Sequence, residues 1–219
     1  MINYTVRYLS AKTGMTDCDP GAFRRIDKRG MHFVIKSYEI EGVGHLCTMR
    51  MKAMLGLMRM ESVVLTPYCL DFPLLSSDYI RAAGRNSLFV ELYDTQLDPL
   101  SEQSVEAFTT LQKRYVSLKD YKEKPHWYDS IRFPQSFAKA GEKTPETYEK
   151  VFRNYLKTYM NELQDAPACS PIEKQAKVQA YVDALFYNGG PAVNTMKKLL
   201  GAQDTRKLLD DVLFGLSFC

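Results

Sequence analysis

The stretch Leu74-Leu75-Ser76-Ser77-Asp78-Tyr79-Ile80-Arg81-Ala82-Ala83-Gly84-Arg85-Asn86-Ser87-Leu88-Phe89-Val90-Glu91-Leu92-Tyr93-Asp94 decides the fold class. Apolar and polar residues alternate on both sides of the segment 83–86, and such alternation is typical of half-buried strands. The glycine-containing segment between the two runs is typical of a hairpin turn. We therefore predict two neighbouring antiparallel strands, Leu74 to Arg81 and Leu88 to Asp94.

Upstream of this hairpin, short runs rich in Val, Ile, Tyr and Phe predict further strands. These runs are Tyr4 to Leu9, Met31 to Ile40, Leu46 to Leu57 and Met60 to Thr66. No helix of crossover length separates the later strands, which disfavours a doubly wound parallel sheet. The sheet is therefore expected to be antiparallel.

From Asp98 onward the sequence is typical of helices. Three helix starts are predicted at Asp98-Pro99, Thr144-Pro145 and Ser170-Pro171, because each places a capping side chain before a proline. Glu173 would complete a capping box with Ser170. A shorter helix is expected to follow Gly189-Gly190-Pro191 and to end at Gly201. Apolar stripes at helical spacing support these helices: Tyr148, Phe152, Tyr155, Tyr159 and Leu163, then Val178, Val182, Leu185 and Phe186, and finally Leu208, Leu209, Val212, Leu213 and Leu216.

The composition describes an ordinary globular protein. The chain has 219 residues, of which 45% are hydrophobic and 25% charged, and this excludes disordered and fibrous classes. We expect a single domain over residues 1–219, an α/β protein whose antiparallel sheet is covered by helices. The sequence lacks a long apolar run and a signal-peptide pattern, so we expect no membrane partner and a cytoplasmic location. A net charge of +3 does not by itself indicate nucleic acid.

Metal and nucleotide sites are not predicted. The three histidines and five cysteines are scattered and form no C-x-x-C motif. The segment Gly42-Val43-Gly44-His45-Leu46-Cys47 lacks the third glycine of a dinucleotide fingerprint, and neither a P-loop nor a G-x-S-x-G elbow is present. We therefore expect no metal and no nucleotide-derived cofactor.

Asp78 is a candidate acid. In a strand it shares one face with Leu74, Ser76 and Ile80. If that face meets the helical layer, burial should raise the pKa of Asp78 and make it a proton donor near neutral pH. If the face meets solvent, Asp78 is only an edge charge. The alternation alone does not choose between the two.

Two other groups permit both a functional and a structural interpretation. The segment 124–133 holds Trp127 and Arg132, which suit stacking on a conjugated ring and pairing with a carboxylate, but it equally suits a turn anchored by a buried aromatic residue. Half of the ten methionines lie between Met49 and Met60. Thioethers can line a pocket for a large flat ligand, although ordinary core packing is favoured for these residues alone.

The order of these features resembles the ferredoxin-dependent bilin reductases. The first block is Ser62-Val63-Val64-Leu65-Thr66-Pro67 followed by Asp71-Phe72-Pro73-Leu74-Leu75-Ser76-Ser77-Asp78. The second is Pro125-His126-Trp127 with Ser130 and the stretch Tyr148 to Leu163, and the third runs from Met196 to Gly215. The likeness begins near His45, and each block alone is weak, so their order and spacing carry it.

The resemblance implies a three-layer α/β/α sandwich that binds a linear tetrapyrrole between its sheet and its C-terminal helices. Members of the family reduce the pigment with single electrons from ferredoxin or flavodoxin, and they contain no cofactor of their own. Asp78 matches the family's central proton donor. The basic surface near the pocket would receive the acidic electron donor.

Two departures from the family pattern bear on activity. Ser62 stands where members carry histidine or asparagine, and Gly190, with Asn188 nearby, stands where many carry a second aspartate. The second proton donor is therefore missing or replaced by another group, and we expect one two-electron reduction.

Beside Asp78, the expected substrate-binding residues are Ser62, Ser76, Trp127 and Asn188, with Arg50, Lys52 and Arg132 for the propionates. Two alternatives stay open: a reductase of the red chlorophyll catabolite type, and a tetrapyrrole-binding protein without enzymatic activity. Reuse of the fold for an unrelated small ligand is also open.

Overall fold

An antiparallel sheet forms the centre of the protein. The structure, a computed structural model, describes residues 1–122 and 124–217 and contains eight strands within these ranges. Their order is β1-β3-β4-β5-β6-β7-β8, with β2 also paired to β3. The strands are β1 Met15–Cys18, β2 Arg25–Lys28, β3 Met31–Ile40, β4 Gly44–Ala53, β5 Met58–Pro67, β6 Leu74–Ala82, β7 Arg85–Tyr93 and β8 Phe137–Gly141.

Helices cover both faces of this sheet. They are α1 Ile2–Ser10, α2 Glu102–Arg114, α3 Pro145–Gln164, α4 Pro171–Asn188, α5 Pro191–Leu200 and α6 Ala202–Lys207, and a π-helical turn follows at Leu208–Leu213. Helices α1 to α3 share one hydrophobic core with the sheet, and α4, α5 and the π-helical turn share a second core on its other face. The expected three-layer α/β/α sandwich is thereby confirmed. In the described part of the chain, no helix combines the length and apolar character needed to cross a bilayer.

The hairpin predicted from residues 74–94 is present. Strands β6 and β7 are joined by Ala83 and Gly84, which both have positive φ angles, as the tight two-residue turn requires. Because successive side chains of a strand point to opposite faces, residues of β7 alternate between the two cores. Leu88, Val90 and Leu92 enter the first core, while Tyr93 enters the second.

Three expectations about local structure were wrong. Tyr4 to Leu9 lies in helix α1, since Ile2, Thr5 and Leu9 are buried at helical spacing and six residues are too few to separate the two periods. The run Leu46 to Leu57 is interrupted, because β4 ends at Ala53 and a turn precedes β5. The region after Asp98 is not purely helical: β8 completes the sheet beyond β7.

The predicted helix starts are confirmed in part. Helix α4 begins at Pro171, and Ser170 Oγ accepts a hydrogen bond from the Glu173 N–H at 3.4 Å. Helix α3 begins at Pro145 as expected. Asp98 does not cap α2, because Ser101 occupies that position and its Oγ accepts from the Ser104 N–H at 3.1 Å.

A buried ion pair ties the turn before β6 to helix α4. Lys174 is fully buried, and its Nζ donates to the Phe72 carbonyl at 2.6 Å and lies 3.3 Å from Asp71 Oδ1. Asp71 also accepts from the N–H groups of Leu97 and Asp98, at 2.7 and 2.8 Å. One carboxylate therefore connects three segments on which the position of β6 depends.

Candidate active site

Ser62 and Asp78 lie opposite each other at the centre of the sheet. They are cross-strand partners in the β5–β6 register, so both side chains project from the same face. Ser62 Oγ donates a hydrogen bond to Asp78 Oδ1. The same row continues to Met49 on β4 and Phe89 on β7, which gives the pair apolar neighbours on either side.

Asp78 faces the second core, on the side of the C-terminal helices. Leu74 lies four residues before Asp78 on the same face of β6, and it belongs to that core. Burial raises the pKa of Asp78 above its ordinary value, and the Ser62 hydrogen bond opposes this shift only in part. The position of Asp78 therefore supports its interpretation as a buried acid, whose carboxyl group holds its proton more firmly than that of a surface aspartate.

The face around Asp78 is only half covered. Ser76, Asp78, Phe89 and Glu91 are each partly accessible, whereas the residues between them on β6 and β7 are buried. Phe89 is touched edge-on by Tyr121, with ring centroids 4.9 Å apart. The described chain therefore leaves the side chain of Asp78 and its neighbours on this face partly accessible.

Glu91 is a second carboxyl group on this face. Its register partner is Ser76, which places it diagonally next to Asp78. Glu91 Oε1 accepts from Arg132 Nη1 at 2.6 Å, and Oε2 accepts from the Tyr93 hydroxyl at 2.9 Å. Burial raises the pKa of Glu91, the Arg132 and Tyr93 hydrogen bonds lower it, and the charge of Asp78 adds to the rise.

An aromatic wall borders Glu91. Tyr181 of α4 lies 4.9 Å from Tyr93, and Tyr128 meets Tyr93 edge-on at 6.1 Å, measured between ring centroids. Trp127 contacts Tyr128 edge-on at 5.5 Å. Tyr93 and Tyr181 are buried, whereas Trp127 and Tyr128 are only half-buried, and a partly accessible aromatic ring suits stacking on a conjugated ligand.

Trp127 and Asn188 lie beside this wall rather than next to Asp78. Trp127 is half-buried, and its indole Nε1–H donates to the Gly189 carbonyl at 2.7 Å. This bond ties the segment after α2 to the α4–α5 connection. Asn188 is exposed at the end of α4. The Trp127 segment therefore forms a turn anchored by an aromatic residue, and it also lies near the site.

Arg132 is close to the site but already engaged. Besides Glu91, it contacts Asp129, with Nη2 and Oδ1 2.8 Å apart. A propionate would have to exchange with these carboxylates to bind it. The structure therefore gives Arg132 a role in holding Glu91.

Arg50 and Lys52 are not brought to the Asp78 face. Arg50 pairs in register with Glu61, and its Nε lies 3.3 Å from Glu61 Oε1. Its neighbour Met49 occupies the Ser62 row, so Arg50 and Lys52 point to the opposite face. Arg50 and Lys52, which were expected to bind propionates, therefore lie on the sheet face opposite Asp78.

The five methionines between Met49 and Met60 differ in how deeply they are buried. Met49 and Met51 are buried in the second core, Met58 and Met60 are half-buried against it, and Met54 is exposed. Met49 lies directly beside Ser62, while Met51 is paired with Met60. Core packing accounts for the first two, as the sequence favoured.

Glu91 is the site residue that sequence reasoning missed. Its signal was present: Leu88, Val90 and Leu92 alternate with Phe89 and Glu91, which marks a carboxyl group on the face opposite the first core. Glu91 and Asp78 are 13 positions apart in the chain. They come close only because the turn at 83–84 folds β7 back against β6 in this register.

Solved structures share this architecture. No family model and no curated protein matches the chain. Among solved structures, 27 chains match. One is the crystal structure of selenomethionine phytochromobilin synthase from tomato in complex with biliverdin, with a TM-score of 0.76 and 13% identity, covering 98% of this chain and 82% of that chain. The fold implied by the sequence resemblance is thus confirmed over nearly the whole chain, including the region before His45.

Proposed function

We propose that the protein is a reductase of a linear tetrapyrrole, with Asp78 as the proton donor. The observation that carries the proposal is the Asp78 carboxyl group, whose pKa is raised by burial on a half-covered sheet face that looks toward the C-terminal helices. The shared fold with a protein crystallised with biliverdin supports this choice of ligand. The flat aromatic wall beside Glu91 fits the same class of molecule.

The reaction adds two electrons and two protons across one double bond of the pigment. Asp78 gives the first proton to the bound tetrapyrrole, and one electron from the donor protein produces a neutral radical. A second electron and a second proton complete the dihydro product, and water reprotonates the side chains. Ferredoxin or flavodoxin is the proposed electron donor, since each transfers single electrons.

We assign the second proton to Glu91. It lies diagonally next to Asp78 on the same sheet face, and the pKa of its carboxyl group is raised by burial. After transfer, the carboxylate would be stabilised by the Arg132 guanidinium at 2.6 Å and the Tyr93 hydroxyl at 2.9 Å. Glu91 thereby replaces the acid that the family pattern leads one to expect at Gly190.

The direct test is an anaerobic assay with biliverdin and enzymatically reduced ferredoxin. We expect the bound pigment to shift its absorption on mixing and a dihydrobilin to accumulate. The absence of both pigment binding and a spectral change would overturn the proposal. Turnover of an opened chlorin but not of biliverdin in the same assay would move the protein to the red chlorophyll catabolite class.

Replacing Glu91 with Gln is expected to slow turnover by about 10- to 100-fold, near the lower end of the contribution of a general acid. The amide keeps the side-chain shape and a hydrogen-bond acceptor for Arg132 but cannot release a proton. Single-turnover absorption spectroscopy should show normal pigment binding and a longer-lived radical. The matched control is Glu106→Gln, an exposed residue of α2. Unchanged radical decay in Glu91→Gln would remove Glu91 from the reaction.

A further inference from the structure

Three cations lie side by side across the sheet on the face opposite Asp78. Lys52 of β4 pairs in register with Arg59 of β5, and Arg59 pairs with Arg81 of β6. All three side chains are exposed. Like charges directly opposite each other on neighbouring strands destabilise a sheet, so this row costs stability unless an anion neutralises it.

No ion pair among the described residues holds these three cations. In residues 1–122 and 124–217, none of the three forms an ion pair within 4 Å, and Arg59 Nε donates only to the Gly56 carbonyl at 3.3 Å. Glu61, the nearest acid along β5, is engaged by Arg50. Glu146 feels the charge of Arg81, which helps to lower the pKa of its carboxyl group, but forms no ion pair with it.

An apolar tip adjoins these cations at the β4–β5 turn. Met54, Leu55 and Leu57 are 66%, 106% and 73% exposed. Met54 and Leu55 adopt φ angles of 52° and 55°, a left-handed conformation that non-glycine residues rarely hold. The turn therefore holds a strained backbone conformation while its apolar side chains stay largely exposed.

The tip and the cations form one surface. Leu57, Arg59, Arg81 and Arg85 line a single cavity of about 300 Å³. The result is a protruding apolar tip with guanidinium groups set immediately behind it. Phosphate groups fit guanidinium donors, and an apolar side chain next to such donors suits the boundary between headgroups and acyl chains.

We propose that this end of the sheet docks on an anionic lipid bilayer. The tip inserts among the acyl chains, and Lys52, Arg59 and Arg81 bind headgroup phosphates. The exposed apolar tip favours a bilayer over an acidic protein, because the tip would need a matching groove on a protein partner and needs none on a membrane. The finding that no described helix spans a membrane concerns insertion across the bilayer and leaves such a surface contact open.

Vesicle co-sedimentation with the full chain tests the proposal. Vesicles of phosphatidylcholine with about one-third phosphatidylglycerol should bind the protein, and pure phosphatidylcholine vesicles should bind it much more weakly. Each basic residue near an anionic surface contributes about fivefold in affinity, so R59Q/R81Q should weaken binding about 25-fold. Leu55→Ser should weaken it about tenfold or more, because the tip loses its most exposed apolar side chain.

The controls match charge and polarity elsewhere on the surface. K157Q/K177Q removes the same charge from exposed positions of α3 and α4, and Ile172→Ser removes an exposed apolar side chain of α4. Both should bind vesicles like the parent, and thermal unfolding checks that every variant is folded. Equal binding by Leu55→Ser and the parent would overturn the proposal, as would release by millimolar inorganic phosphate alone. Binding of an acidic protein in place of vesicles would overturn it too.

Discussion

Replacing Asp78 with Asn is expected to abolish reduction of a bound bilin while leaving the bilin bound. The amide occupies the same volume and can still accept the Ser62 hydrogen bond. It has no proton to give, and removal of a general acid costs about 10²- to 10⁴-fold in rate. Anaerobic single-turnover spectra give the measurement, and titration of the bound-pigment absorption gives the affinity.

The control for this variant is Asp165→Asn, which removes an exposed carboxylate at the end of α3. It should keep the parent rate. In the parent, the rate should fall as the pH rises through the raised pKa of Asp78, since only the protonated carboxyl group donates. Full turnover by Asp78→Asn would remove the proposed role. Tight binding by the parent with no turnover at any pH would instead favour a tetrapyrrole carrier.

The same variant should be more stable than the parent at neutral pH. The raised pKa means that folded Asp78 binds its proton more tightly than the unfolded chain does, where the pKa is about 3.9. The parent therefore loses stability as the pH rises above about 4 and towards the folded-state pKa. Asn escapes this loss. Urea unfolding at pH 7 and pH 4 should show an advantage for Asp78→Asn that disappears at the lower pH.

Replacing Lys174 with Met is expected to cost about 3–5 kcal/mol of unfolding free energy. The Met side chain fills the volume, but the Asp71 carboxylate is left buried beside it without its cation. The Phe72 carbonyl loses a donor at 2.6 Å as well. Urea denaturation monitored by tyrosine fluorescence gives the free energy, with an unchanged slope as evidence that the transition stays two-state.

Two further variants separate charge burial from packing. The double variant Asp71→Asn with Lys174→Met removes both charges and should recover part of the loss, because the unpaired carboxylate is gone. Lys177→Met, an exposed neighbour on α4, should change stability by less than about 0.5 kcal/mol. A Lys174→Met variant as stable as the parent would show that the pair contributes nothing to the position of α4.

Much of the scaffold was predictable because its signals are local. The β6–β7 hairpin rests on alternation and a two-residue turn, and the starts of α3 and α4 rest on capping residues before proline. Helix α1 was mistaken for a strand, since a short apolar run satisfies both periods. Strand β8 was missed because its five residues pair with β7 residues that are 47 to 55 positions away in the chain.

The sequence by itself determined that Asp78 shares a face with Leu74 and Ser76, because strand periodicity is a property of consecutive residues. Only the tertiary structure decided that this face meets the C-terminal helices, that Glu91 joins it, and that Arg50 and Lys52 lie behind the sheet. Register and layer order arise from contacts between distant segments, whose free energy no local pattern contains. Asp78 could therefore be identified as a candidate acid from the sequence, whereas its neighbouring carboxyl group, Glu91, could be identified only from the fold.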